Sequence, residues 1–332
     1  MAKLLIYIPT FNRPEQLRNQ LRSLHPQIEE NSRQVRVIVA DNNSTDEMVK
    51  AVIEEFKSFV GIEFTSRTSN IDGNANILLG FIEAKQDEYL WLLADDTNVT
   101  PNAVSNLLST LNRTSIDLLA LYTEEQRLLP ESLQWNIETF KSILDEFRWG
   151  LISSAIYNMG YFSNSIKYAF FFHNSSFPHL GVLFSEFKRK QIIKVAWLPE
   201  RDVHKGNSTE LPSDYSLSLS GFPHLFTLFD LAQRRDLLLS WVRRYGVGFL
   251  EEAGKHEVSS LATRAMIQRS GFVVRASFCF AQLEWMLRRS YLGRRFEFWL
   301  SGNPHALGWI VRKSKRVPLR IHTKHKKDRD IK

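Results

Sequence analysis

Between Asp87-Glu88 and Asp95-Asp96 the chain places a short apolar run over residues 89–94, Y-L-W-L-L-A. A run this short, closed by charge at both ends, reads as a strand buried on both faces, as in a parallel sheet. Asp95 and Asp96 follow it directly, then Thr97 and Asn98. Thr100 supplies a helix N-cap and Pro101 a favoured first helical residue. A strand that delivers paired acids to its C-terminal end puts them where open α/β sheets bind ligands. Adjacent carboxylates repel each other unless a cation lies beside them. Coordination of Mn2+ or Mg2+ by hard oxygen, shared with substrate phosphates, is the natural use. An acidic loop that only caps the next helix is the competing reading.

The surrounding pattern alternates strand and helix. Residues 4–8 read as a strand before the turn P-T-F-N-R-P, and residues 14–24 carry Leu17, Leu21 and Leu24 at helical spacing. A second strand at 35–40 is followed by a helix over 46–59, a short third strand at 62–65 and a helix around 74–84. After Pro101 the pattern predicts a helix to about residue 112, a strand at 116–122, a helix over 131–147 and strands at 151–157 and 195–199. Short connectors between alternating elements predict a doubly wound, mostly parallel α/β sheet. From about residue 226 the character changes to helices rich in arginine, over 228–245, 258–268 and 273–292.

Composition narrows the class. The 332 residues suffice for one large or two ordinary domains, and 43% hydrophobic with 24% charged residues is ordinary for a soluble protein. One cysteine, Cys279, rules out an intramolecular disulfide and fits a reducing, cytoplasmic setting. The apolar run near the N-terminus stops at Pro9, and no window of about 18 apolar residues occurs. The net charge of +7 is concentrated in the tail, residues 312–332, while the first half is nearly balanced. That asymmetry argues against a protein built to grip nucleic acid.

Three further loops follow predicted strands. Thr10 and Asn12 can hydrogen-bond a ligand and Arg13 can meet phosphate, unless the segment is an ordinary turn punctuated by Pro9 and Pro14. Asp41, followed by Asn42 and Asn43, suits ribose hydroxyls or a base edge, with an Asx-turn or helix cap as the alternative. The loop S-N-I-D-G-N-A-N brings Asn70, Asp72, Asn74 and Asn76 to a helix N-terminus, a setting for anions that turn chemistry also favours. Neither G-K-[ST] nor G-x-G-x-x-G is present, which leaves a P-loop ATPase or dinucleotide oxidoreductase unsupported.

Taken in order, P-T-F-N-R-P, A-D-N-N-S-T-D, S-N-I-D-G-N-A-N and Y-L-W-L-L-A-D-D-T resemble the inverting family 2 glycosyltransferases of the GT-A fold. The resemblance spans residues 3 to about 111, and extends more weakly to about 210. It implies a Rossmann-like sheet flanked by helices, with a helical C-terminal appendage. The implied divisions are 1–112 for the nucleotide-sugar half, 113–225 for the acceptor half, 226–311 for the helical region and 312–332 for a basic tail. It implies that Thr10, Asn12, Arg13, Asp41 and Asn43 hold the donor, together with Asp72, Asn74, Asn76, Asp95 and Asp96. Asp96 matches the last acid of the Asp-x-Asp motif that holds Mn2+ or Mg2+ on the diphosphate. Ala94 stands where many relatives have the first acid, and A-D-D-T looks more like the G-D-D-D of bacterial abequosyltransferases, with Thr97 in place of the third acid.

The resemblance also points to a catalytic base near the start of a helix in the region S-S-F-P-H-L-G-V-L-F, where His179 is the titratable group. A reference pKa of ~6.5 suits an imidazole that deprotonates a sugar hydroxyl. A histidine packed among aromatics is the alternative, and Asp202, His204 and Asp214 are rivals. His204 in V-H-K-G-N-S matches a loop that supplies a third metal ligand in some relatives, with Lys205 beside it; an ordinary loop histidine is the competing reading.

The implied activity is inverting transfer of a sugar to a glycan or lipid-linked acceptor in surface polysaccharide or O-antigen (lipopolysaccharide) synthesis. The alternative is a degenerate GT-A protein kept as a binding partner of another transferase. Trp241, Tyr245, Trp285, Tyr291 and Trp299 lie near arginines, a pattern for helices resting on an anionic membrane surface at the inner face of the cell membrane. A helical core with a solvated basic face, or an oligomer interface, uses the same residues.

Overall fold

The computed structural model describes residues 1–113, 115–122, 132–136, 152–175, 177–189, 192–204, 222–252, 267 and 277–279. The chain divides into two compact units, Met1–Phe278 and Cys279–Lys332, and every element named below belongs to the first. The eight strands of its sheet are β1 (Lys3–Thr10), β2 (Val35–Asp41), β3 (Ile62–Ser66), β4 (Glu88–Leu92), β5 (Leu118–Tyr122), β6 (Ser132–Trp135), β7 (Ala155–Asn158) and β8 (Ile193–Pro199). They lie in the order β3-β2-β1-β4-β7-β5-β8-β6.

The first four strands are parallel neighbours, as the alternating pattern predicts. The far half departs from it. β7 runs antiparallel to both β4 and β5, and β6 runs antiparallel to β8, so the sheet is mixed. The helix expected over 131–147 is overturned where the chain is described, because 132–135 is the edge strand β6. Trp135 is buried there and meets Trp197 of β8 edge-on at 5.3 Å. The expected strand at 151–157 begins instead as a 3-10 turn, Ile152–Ser154, before β7.

Helices α1 (Pro14–Glu30), α2 (Glu47–Phe56) and α4 (Ala103–Arg113) cover one face of the sheet. Leu17, Leu21, Leu24, Val49, Val52, Val104 and Leu107 share a core there with Leu4, Ile6, Ile8 and Trp91. Each such side chain, fully buried, contributes about 1.5–3 kcal/mol. The helical spacing read over residues 14–24 extends further in α1, which runs on to Glu30 with Pro26 inside it. Tertiary bonds offset the lost backbone bond: Gln27 Nε2 donates to the Thr100 carbonyl at 2.9 Å, and Gln27 Oε1 accepts from the Val104 N–H at 3.0 Å. Asp46 proves to be the cap of α2, accepting from the Met48 N–H at 2.9 Å.

On the opposite face α3 (Gly73–Glu83) lies close to β1 and β4. Gly80 makes this approach feasible, since a Cβ there would stand 2.7 Å from Leu92 Cδ2 and 2.9 Å from the Tyr7 ring. Beside α3 pack α6 (Ile166–Phe171), which follows the short α5 (Met159–Phe162), and α7 (Pro178–Lys188), buried along nearly its whole length.

The expected start of α4 is also corrected. Thr100 and Pro101 form a turn, and the Thr100 hydroxyl donates to the Asp202 carbonyl at 2.9 Å instead of capping a helix. Of the C-terminal helices, the described part is α8 (Leu231–Glu252). Leu228, expected inside it, ends the 3-10 segment Phe222–Leu228. Trp241 is buried, which places it in a core and not on a membrane-facing surface. Tyr245 (by its side chain), Trp285, Tyr291 and Trp299 lie outside the described residues, as do the helices expected over most of 258–268 and 273–292 and the basic tail. Among the described residues no helix is long and apolar enough to cross a membrane.

Candidate active site

The register of the parallel strands brings the sequence-predicted loops to one end of the sheet. Thr10 pairs across from Asp41, Asp41 from Ser66, and the Leu93 N–H continues the ladder to the Tyr7 carbonyl at 2.9 Å. The acid pair therefore emerges beside the end of β1. Asp95 is buried, and its Oδ2 accepts from the Thr10 hydroxyl at 2.7 Å. Its Oδ1 accepts from Arg13 Nη1 at 3.0 Å, and the same nitrogen donates to Asp96 Oδ2 at 3.1 Å. Burial pushes the Asp95 carboxyl above the usual carboxylate range, against the pull of the Thr10 hydroxyl and the Arg13 guanidinium. Arg13 is raised in turn, chiefly by the Asp95 charge. The Asp96 side chain is 53% exposed, and its Oδ1 accepts no hydrogen bond among the described residues.

Ser153, in the 3-10 turn ahead of β7, holds this acidic loop in place. Its Oγ accepts from the Ala94 N–H at 3.0 Å and lies 3.3 Å from the Thr97 hydroxyl, while its carbonyl accepts from Trp91 Nε1 at 3.0 Å. The two positions where the motif departs from the Asp-rich pattern, Ala94 and Thr97, thus share one partner.

The second cluster joins the loops after β1, β2 and β3. Asn12, in the left-handed region at φ 53°, accepts at Oδ1 from the Thr45 and Asp46 N–H groups at 2.8 and 3.1 Å. Asp41 is buried, and its Oδ1 accepts from the Ser44 N–H at 3.0 Å and the Ser44 hydroxyl at 2.5 Å. Its Oδ2 accepts no hydrogen bond among the described residues. Asn42 donates to Asn70 Oδ1 at 2.9 Å and accepts from the Ile71 N–H at 3.0 Å. Asn43 and Asp72 are also left-handed, at φ 62° and 79°, a conformation that Asn and Asp tolerate best among non-glycine residues. Asp72 caps α3 through the Asn74 N–H at 2.6 Å. Asn76 is buried, donating to the Ala40 carbonyl at 2.8 Å and accepting from Arg67 Nε at 3.4 Å. Asn12, Asp72 and Asn76 thus shape the cradle, while Asn43 and Asn74 line its loops and the Asp41 and Asp96 carboxylates keep open acceptor oxygens.

The remaining candidates lie on other elements. The segment after β8 is strapped onto the acidic loop by a bridge between Val99 and His204 and by the Thr100 N–H donating to the Val203 carbonyl at 2.8 Å. The His204 ring stacks on Trp91 at 6.0 Å, with Nδ1 3.4 Å from Glu200 Oε1. Its Nε2 is buried with no hydrogen-bond partner among the described residues. Asp202 engages Thr100 and Asn106 through its carbonyl, and its carboxylate lies 3.8 Å from Arg201. His179 sits in the first turn of α7, 1% exposed and edge-on to Phe177 at 6.2 Å. Lys205 and Asp214 lie outside the described residues.

Among the described residues no three His, Cys, Asp or Glu side chains come together as a closed metal cage. An open site is a different matter. Asp96, with one free oxygen facing water beside a second carboxylate, fits a hard cation that takes most of its shell from water and phosphate. Sequence reasoning missed Ser153 and Arg67. The serine stands in the motif S-S-A-I-Y, but nothing local marks which serine reaches across to β4. Arg67 Nη2 donates to the Tyr7 hydroxyl at 3.1 Å, fastening the β3 loop behind the cradle.

Residues 5–169 match the family described as Glycosyl transferase family 2. Among solved structures, S. aureus TarS 1–349 is similar over 89% of this chain and 91% of its own, with a TM-score of 0.59 at 13% identity. The same protein in complex with UDP-GlcNAc gives a TM-score of 0.58 at 13% identity, over 89% of this chain and 92% of that one. Of the longer S. aureus TarS chain the match covers 53%. The mannosyltransferase PcManGT from Pyrobaculum calidifontis, in complex with GDP-Man and Mn2+, gives a TM-score of 0.50 at 10% identity, over 94% of this chain and 87% of that one. At such identities the likeness is one of fold, and the fold is GT-A. No curated protein matches the sequence.

Proposed function

We propose that this chain, whose residues 5–169 belong to glycosyl transferase family 2, moves a sugar from a nucleotide-sugar donor to a hydroxyl of a glycan or lipid-linked acceptor, with inversion. The observation that carries the reading is the meeting of Thr10, Arg13, Asp41, Asp95 and Asp96 at one end of the sheet. The complexes of TarS with UDP-GlcNAc and of PcManGT with GDP-Man and Mn2+ support a donor of this class on this fold.

In this reading Asp41 offers its open Oδ2 to the nucleoside, and the cradle of Asn12, Asn43, Asp72, Asn74 and Asn76 fixes the loops around it. Asp95 is spent on geometry, because both its oxygens are engaged by Thr10 and Arg13. Asp96 would hold Mn2+ or Mg2+, which would supply neutralisation of the leaving diphosphate. Arg13 adds a guanidinium matched to phosphate oxygens. As the acceptor oxygen bonds to the anomeric carbon, the bond from that carbon to the diphosphate oxygen breaks. The hydroxyl proton passes to an imidazole nitrogen of His179, which the acceptor must uncover, since the ring is buried in the empty protein. Surface polysaccharide assembly is the setting we infer.

The test is release of nucleoside diphosphate from a panel of UDP-, GDP- and dTDP-sugars with Mn2+ and mixed glycan acceptors. Release from one donor, lost in Asp96→Asn, supports the reading. Binding of a nucleotide with no turnover of any donor supports the second reading, a GT-A domain kept as a binding partner. One observation favours that alternative: the Thr97 hydroxyl lies against Ser153 Oγ at 3.3 Å where a fully acidic motif would present a carboxylate.

A further inference from the structure

The two acids of the loop share a single cation that belongs to the chain itself. Arg13 Nη1 lies 3.0 Å from Asp95 Oδ1 and 3.1 Å from Asp96 Oδ2. The three groups differ in freedom. Asp95 is only 5% exposed by side chain and is fixed at its other oxygen by Thr10, so it is an immobile anchor. The Asp96 side chain is 53% exposed and the Arg13 side chain 50%, so both can turn towards solvent. Arg13 sits at the N-cap of α1 without a capping hydrogen bond, and among the described residues its side-chain hydrogen bonds go to Asp95 and Asp96.

We propose that Arg13 is a built-in counter-ion that closes the acid pair against a lone divalent cation, so that metal is taken up together with a nucleoside diphosphate. The proposal rests on the donor-site reading above and adds an order of events to it. A divalent ion arriving alone at Asp96 meets a carboxylate already paired and a guanidinium within a few ångströms, a like-charge juxtaposition. A diphosphate changes both terms. Its oxygens give the metal the ligands that a single available carboxylate, Asp96, lacks, and they offer the planar guanidinium a bidentate partner. Arg13 then turns from Asp96 to phosphate, freeing Asp96 Oδ2 for the ion. The two ligands are therefore positively coupled, each raising the affinity of the other by the same factor.

Mn2+ gives a direct readout, because the electron paramagnetic resonance signal of the free ion counts what is unbound. Wild type, Arg13→Gln and Arg13→Lys are titrated with Mn2+ alone and with Mn2+ in the presence of UDP or GDP, and protein-free titrations subtract the Mn2+ that the nucleotide itself chelates. Gln can keep one hydrogen bond to Asp95 without the charge, and Lys keeps the charge. The expected result is that a nucleoside diphosphate tightens Mn2+ binding to wild type at least tenfold. Arg13→Gln should bind Mn2+ alone at least tenfold tighter than wild type and show a reduced coupling, with Arg13→Lys close to wild type. Equal binding of Mn2+ alone by wild type and a folded Arg13→Gln, judged by circular dichroism, would overturn the counter-ion. Tighter Mn2+ alone in Arg13→Gln with no nucleotide binding in any variant would uphold the counter-ion and sink the donor reading.

Discussion

Ser153→Ala removes one hydroxyl and should loosen the whole acidic loop. The Ser153 side chain is buried, and its Oγ is the acceptor for the Ala94 N–H at 3.0 Å and the neighbour of the Thr97 hydroxyl at 3.3 Å. Leaving the half-buried Ala94 N–H without its partner costs about 1 kcal/mol, the low end for an orphaned donor. The longer contact to Thr97 adds at most about 0.5–1 kcal/mol, because Thr97 is half-buried and can turn to water. The backbone contact of Trp91 Nε1 to the Ser153 carbonyl survives, so the turn itself should stay. A total of about 1–2 kcal/mol corresponds to a Tm fall of about 2–8 °C in a domain of this size. Because Ala94 immediately precedes Asp95 and Asp96, nucleotide affinity should fall with stability, about fivefold to tenfold, a loss of about 1–1.4 kcal/mol. Differential scanning calorimetry and isothermal titration with the preferred nucleoside diphosphate measure the two quantities. An unchanged Tm with unchanged affinity would refute the claim that Ser153 holds the loop. A lower Tm with unchanged affinity would restrict its role to folding.

Other substitutions probe separate parts of the account. Gly80→Ala sets a methyl 2.7 Å from Leu92 Cδ2 and 2.9 Å from the Tyr7 ring, and should cost about 1–3 kcal/mol by overpacking, read as a lower denaturation midpoint in urea. Glu88 is buried against Arg36 at 2.7 Å. Burial alone would raise its pKa, but the Arg36 hydrogen bond and the Lys85 N–H outweigh it and hold the carboxyl below the usual range. The stability this gives is present above the unfolded carboxylate pKa and lost as pH falls through the lowered folded value. Glu88→Gln should therefore destabilise the protein by about 2–4 kcal/mol at pH 7 and flatten the acid limb of the Tm–pH curve, whereas an unaltered limb would contradict the pairing. His179→Gln should leave nucleotide binding unchanged and reduce transfer at least 100-fold, as loss of a general base does, while retention of full activity would make it a core histidine.

The parallel half of the fold is legible because its signals are local. β1 and β2 are nearly uninterrupted apolar runs, the helices between them carry apolar residues at helical spacing, and each loop follows a strand end. The far half is not, because pairing direction is a tertiary choice. Residues 132–135 alternate only briefly, and β6 exists through its ladder to β8 and the burial of Trp135. The helical spacing read from the sequence ends at Leu24, yet α1 continues past Pro26, where Gln27 is tied to the turn at Thr100 some seventy residues on. The same limit governs the site. The positions of Asp41, Asp95 and Asp96 follow from strand ends, but the division of labour between the two acids does not. One is buried between Thr10 and Arg13 and the other is open to water, a difference that only the register of β1 against β4 creates. Asp72 and Asn76 show the converse, since their chemistry suits a ligand while their observed bonds shape the α3 N-terminus.

The most direct test of a donor site at the acid pair is a thermal-shift panel of nucleoside diphosphates and nucleotide sugars, with and without Mn2+, on wild type and Asp96→Asn. A ligand at one hundred times its Kd stabilises the folded state by about 2.7 kcal/mol, or about 5–10 °C in a domain of this size. The account predicts a shift of that order with one nucleotide, dependent on Mn2+ and lost in Asp96→Asn. Folded wild-type protein that shifts with no nucleotide, or an Asp96→Asn variant that shifts as wild type does, would contradict it.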